Sequence, residues 1–142
     1  MIGQTSAIEK AVRCASAISE AYTIAKFGTD DDTMEVATSA SDELVGVFQH
    51  TTSGAGEIVR VMLTGISRLV LGGTVQRGQL ITADASGRGV AAVQHTHTEN
   101  QEDTYTQNTT TSEASPVRVI GKALASGVAG DVIPVLLVQG AA

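Results

Sequence analysis

Two stretches in the second half of the chain share one punctuation. The first is Gly72-Gly73-Thr74-Val75-Gln76-Arg77-Gly78-Gln79-Leu80-Ile81-Thr82-Ala83-Asp84. The second is Val119-Ile120-Gly121-Lys122-Ala123-Leu124, followed by Gly127-Val128-Ala129-Gly130-Asp131-Val132-Ile133-Pro134-Val135-Leu136-Leu137-Val138. Each reads as a short apolar strand, a tight Gly-Gln or Gly-Asp turn, and a second short apolar strand. Glycine supplies the backbone angles of such turns, and branched residues fill a sheet face. A chain built this way folds into a compact β-barrel.

The rest of the chain agrees. From Tyr22 onward, strand patterns recur every eight to twelve residues with turn signals between them. They run over Tyr22–Phe27, Thr33–Ala37, Leu44–Phe48, Ile58–Leu63, Ile66–Leu71, Leu80–Thr82, Val90–Val93, Val117–Ala123 and Val132–Val138. Gly65 breaks the fourth of these from the fifth, and Pro134, lacking an amide hydrogen, favours an edge or a bulge. That spacing predicts an all-β fold: a small barrel or sandwich of short antiparallel strands. A βαβ fold needs crossover helices of ten or more residues, and no such pattern occurs.

Two segments stand apart from this barrel domain of residues 21–142. In residues 1–20, Ser6-Ala7-Ile8-Glu9 has capping-box spacing, and Ile8, Ala11, Val12, Ala15 and Ile18 fall near helical spacing. The segment is therefore either a short helix docked on the barrel or an arm that orders on a partner. Residues 94–116 are polar, rich in threonine and nearly free of apolar side chains. They predict a long projecting loop or solvated hairpin.

Composition narrows the function. The 142 residues suit one domain, and 42% of them are apolar. The only aromatics are Tyr22, Phe27, Phe48 and Tyr105, so Val, Ile, Leu and Ala must build the core. Such a core favours self-association, which buries more apolar surface. The net charge is −6, and the nine Lys and Arg are scattered singly. That excludes a nucleic-acid-binding face, which needs a concentrated positive patch. Cys14 is the only cysteine, so there is no internal disulfide, and its alanine-rich surroundings read as core or interface. No stretch approaches 18 continuous apolar residues, and the first residues lack the pattern of a secretory leader. Synthesis on the cytoplasmic side, with no membrane partner, is the expectation.

Chemistry-bearing constellations are weak. His95 and His97 with Glu99 form the best metal candidate, because residues two apart on a strand point the same way. Two histidines on a polar loop are half a zinc site, so no metal and no cofactor are expected. Asp30-Asp31-Asp32 lacks the alternation of a calcium loop and reads as a solvated turn. His50, Ser53, Asp42 and Glu43 lack a nucleophile elbow. Gly54-Ala55-Gly56 and Gly87-Arg88-Gly89 lack both phosphate-loop patterns and read as turns.

Taken together, Tyr22–Phe27, Leu44-Val45-Gly46-Val47, Val61–Ile66, Gly72–Asp84, Gly87, Val119–Leu124 and Gly130-Asp131-Val132 resemble the capsid cement, or head decoration, proteins of tailed bacteriophages. The resemblance covers most of residues 20–140 and lies in the order and number of the pieces. Residues 94–116 depart from it as a longer connection. It implies a structural protein on the outer surface of a phage head, a homotrimer binding the major capsid protein where subunits meet. On exposure and composition, Ile2, Ile8, Val12 and Ile18 are the expected capsid contacts, and His97, Glu102 and Tyr105 the expected projecting residues. Two other readings are a receptor-binding or adhesion module of a virion working through residues 94–116, and a metal-dependent enzyme using His95, His97 and Glu99.

Overall fold

The computed structural model describes residues 5–92 and 117–141. The segment 94–116, and with it His95, His97, Glu99, Glu102 and Tyr105, lies outside the described residues, as does Ile2. Among the described residues the fold is all β, with nine strands: β1 (Thr5–Cys14), β2 (Ile24–Phe27), β3 (Thr33–Val36), β4 (Leu44–Phe48), β5 (Ile58–Val70), β6 (Leu80–Ala83), β7 (Gly89–Ala91), β8 (Arg118–Ala123) and β9 (Val132–Ala141).

The strands join in the order β1-β3-β2-β4-β5-β9-β8-β6-β7, and β1 also pairs with β5. The first five strands therefore close into a barrel. The long strand β5 makes this possible. Its Gly65 has φ +112°, a left-handed conformation that glycine adopts without strain. The break expected at Gly65 is thus a bend inside one continuous strand. Gly65 and Ile66 pair with β1 on one edge and with β9 on the other. It follows that β4 and β9 share an edge of β5, one after the other. The N-terminal part of β5 belongs to the barrel, and its C-terminal part belongs to a second sheet with β9, β8, β6 and β7.

The N-terminal segment needs correction. Neither a helix nor a free arm forms over residues 5–14. They are strand β1, in antiparallel register with β5 from Thr5↔Ile66 to Arg13↔Ile58, with irregularities on both sides of Ile8. Alternation decides this: Val12 and Cys14 point into the barrel while Ala11 and Arg13 face out, so the strand splits the apparent helical stripe between its two faces. The far end of β1 pairs in parallel with β3 at Arg13↔Thr33 and Cys14↔Met34.

Two cores result. The barrel is filled by residues including Val12, Ile18, Met34, Phe48, Val59 and Val61. The second core is aliphatic and includes Met62, Leu69, Leu71, Ile81, Ile120 and Ile133. Between them, buried Gln49 donates from Nε2 to Ser67 Oγ at 3.1 Å and to the Val47 carbonyl at 2.9 Å. Pro134 sits in an interior strand, not at an edge. It is accommodated because the β8 ladder ends there, with the Leu124 N–H donating to the Pro134 carbonyl at 3.0 Å.

The two glycine-punctuated stretches interlock. Gly78 N–H donates to the Ala123 carbonyl, and Gly130 N–H to the Leu71 carbonyl, each at 2.8 Å. Ala123 N–H donates to the Gln79 carbonyl at 2.9 Å, and Leu71 N–H to the Asp131 carbonyl at 2.8 Å. Val75 and Gly127 exchange both bonds at 2.9 Å. The same spacing carries Leu71 to Ala123, Val75 to Gly127, Gly78 to Gly130 and Gln79 to Asp131, so the arrangement has an internal pseudo-two-fold. The strand entering each turn pairs with the strand leaving the other: β5 with β9, and β8 with β6.

Candidate functional site

Cys14, His50, Asp42 and Ser53, singled out in the sequence, make bonds that hold the backbone together. Cys14 is buried, and its thiol contacts Thr52 Oγ1 and the Gly54 carbonyl, each at 3.2 Å. His50 Nε2 accepts the Arg60 N–H at 3.2 Å, which leaves Nδ1 to donate to the Thr51 carbonyl at 3.1 Å. Asp42 accepts the Thr38 and Ser39 N–H groups at 2.9 and 3.1 Å and pairs with Lys26 at 3.5 Å. Burial raises the Asp42 carboxyl, but the Thr38 N–H and Lys26 outweigh it and hold the group below its ordinary range. The hydroxyl and N–H of Ser53 likewise hold Glu57 below its ordinary range. These interactions place His50 and Ser53 in the β4–β5 connection and Asp42 in the β3–β4 connection.

Among the described residues, no group of three or more His, Cys, Asp or Glu could hold a metal ion, and no helix is long and apolar enough to cross a membrane. The two glycine loops are turns, as expected. Gly87, at φ +77°, accepts the Ile24 N–H on its carbonyl at 2.7 Å, and a side chain there would collide with Val36.

Ion pairs clasp the barrel to the second sheet, Arg118 with Glu43 at 3.4 Å and Arg88 with Glu20. Arg88 forms a two-point pair with Glu20, Nε to Oε1 and Nη2 to Oε2, each at 3.0 Å. Glu20 keeps the guanidinium firmly charged. Beside this pair, Tyr22 has φ +64°, held by bonds from its N–H to Phe48 and to its carbonyl from Val70. Sequence reasoning missed both features, since nothing local links Glu20 to Arg88.

Of the expected capsid contacts, Ile8 is exposed, at 55%. Val12 and Ile18 are buried in the barrel core and offer no contact surface: β1 turns Val12 inward, and bonds to Thr52 hold Ile18 in place beyond the strand. The exposed apolar surface lies mostly elsewhere. Registers across β6, β8, β9 and β5 align Leu80, Lys122, Leu136 and Ile66 in one row. Val138 and Ile8 flank that row on one side with Thr64, around a shallow groove of about 510 Å³. Leu124, Val132 and Val128 flank it on the other, toward the interlocked turns. The arrangement suits contact with another surface, not enclosure of a small molecule.

No family model matches the chain, and no curated protein matches it. Among solved structures, the fold is similar to that of the N base of head fiber gp8.5 in bacteriophage phi29, with a TM-score of 0.60 and 14% sequence identity over 92% of this chain and 93% of that one.

Proposed function

We propose that this chain is a non-catalytic structural module of a bacteriophage virion, seated on the head in the manner of a fibre base. The observation that supports it most is a shared fold with a head-fibre base along nearly the whole of both chains. The geometry of the described residues agrees: Asp42, His50 and Ser53 hold connections between strands, while an exposed apolar sheet face is left for contact.

This reading favours the receptor-binding or adhesion module over cement. A head-attached base carries something outward, and the polar segment 94–116 is the contact element on that reading. The cement reading keeps its support from the ordered motifs between Tyr22 and Val132, and its partner is the major capsid protein. One experiment separates them. The purified chain and a form lacking residues 95–115 are mixed with undecorated heads, and head binding, head thermal stability and binding to host cells are measured. The fibre-base reading expects head binding by both forms, unchanged head stability, and host binding by the intact chain alone. Cement expects a rise in head stability. A chain that binds neither heads nor cells overturns both.

A further inference from the structure

The outer face of the second sheet calls for an occupant, and its charge points to a second copy of this chain. Its rows span β6, β8, β9, β5 and the start of β1 across, and from Val138 to Val132 along β9. At ordinary strand spacings that is roughly 500 Å² in projection. This exceeds half of the ~800 Å² that one partner contributes to a stable complex. Leu80, Val132, Leu136 and Val138 are all exposed on it.

The charges on this face are cationic in an acidic chain. Lys122 lies in the central row, and Arg68 pairs with Pro134 in the next. The rows contain no carboxylate, although the chain carries a net charge of −6. Pairing the face with itself about a two-fold axis would set Lys122 and Arg68 against their own copies. A self-complementary contact is therefore disfavoured, and an acidic counterpart is required.

The barrel has one. The β2–β3 hairpin presents Phe27, 59% exposed, next to Asp30 and Asp31, which are exposed and make no ion pair among the described residues. Asp32 at its end pairs with Arg13, which lies opposite Ile58. The hairpin therefore sits by the Ile58 end of β5, while the apolar face extends to the Val70 end. The central row crosses β5 at Ile66, well along the strand from Ile58, and Phe27 stands exposed, so the hairpin does not cover the face of its own copy.

The geometry points to a head-to-tail contact between copies of this chain, with the Phe27–Asp31 hairpin of one copy seated on the β6-β8-β9-β5 face of the next. An aromatic anchor enters an apolar surface, and two carboxylates meet Lys122 and Arg68. Contacts of this kind close into rings when the rotation between copies allows.

The test needs only the purified full chain. Sedimentation velocity over a wide concentration range should give a mass above the monomer. Leu136→Asp and Phe27→Ser occupy opposite sides of the contact, and each should weaken association by about tenfold or more while leaving the β-sheet circular dichroism unchanged. Lys122→Glu should weaken it too, and adding Asp31→Lys should restore it. That rescue distinguishes a contact from lost folding. A chain that stays monomeric, a Leu136→Asp variant of unchanged mass, or an absent charge rescue overturns the contact. A monomer that binds heads unless Leu136 is replaced assigns the face to the shell instead. Each of these results leaves the virion reading intact.

Discussion

In the barrel, the connections are held by side chains. Asp42 gathers the N–H groups after β3, Glu57 gathers Ser53 before β5, and Thr33 Oγ1 donates to the Asp30 carbonyl at 2.9 Å within the β2–β3 turn. In the second sheet, the two main turns are held chiefly by backbone. Their bonds run from one turn's amides to carbonyls beside the other, with Gln79 and Asp131 side chains each adding one bond, to Gln76 and Val128. The first design tolerates varied backbones but depends on particular polar groups. The second tolerates varied side chains but depends on glycine where φ is positive.

Perturbations of decreasing size sharpen that contrast. The largest should be shared by both regions. Gly46 in β4 faces the Met62 carbonyl, and Gly121 in β8 faces the Leu136 carbonyl, each so close that a Cβ would collide with backbone. Gly46→Val and Gly121→Val should each cost about 3 kcal/mol in denaturant unfolding. If only one of them does so, the regions do not pack with comparable closeness.

Next come the interlocked turns. Gly78 and Gly130 have φ +94° and +91°, and a Cβ at either would meet nothing within 4 Å. Gly78→Val and Gly130→Val should therefore cost about 1–2 kcal/mol each, entirely from backbone strain. Costs that differ by more than about 1 kcal/mol would deny the equivalence of the two turns.

The smallest effect should appear in acid and arise in the barrel. The carboxyl of Asp42 ionises below its ordinary 3.8, so its contribution is complete above the unfolded value and is lost as pH falls through the folded one. Asp42→Asn should remove about 1 kcal/mol near neutral pH and flatten the decline of stability below about pH 4. A variant whose thermal midpoint falls in acid as steeply as the parent's would show that this clasp is not what acid releases.

This contrast also explains what could be read in advance. The strands from β2 onward and the interlocked turns were legible because their signals are local: alternation, and glycine where backbone angles demand it. Leu44–Phe48 emerged with its predicted bounds. The N-terminal strand was not legible, because β1 is defined by a partner more than forty residues away, and Val12 suits a helical stripe and a strand alike. Gly65 was read as a break because sequence does not distinguish a bend from an end. The apolar face was hidden for a related reason: Leu80, Lys122, Leu136 and Ile66 become neighbours only through registers joining four strands.

The position of β5 has a mechanical consequence. β1 and β9 run alongside opposite edges of it, both antiparallel to it, and overlap at Gly65 and Ile66. A pull on the start of β1 and the end of β9 would drag its two neighbours in opposing directions along β5. Hydrogen bonds loaded that way share the force and must rupture as a group, whereas bonds peeled from one end give way in succession. The strand that joins the two halves is thus oriented to resist tension.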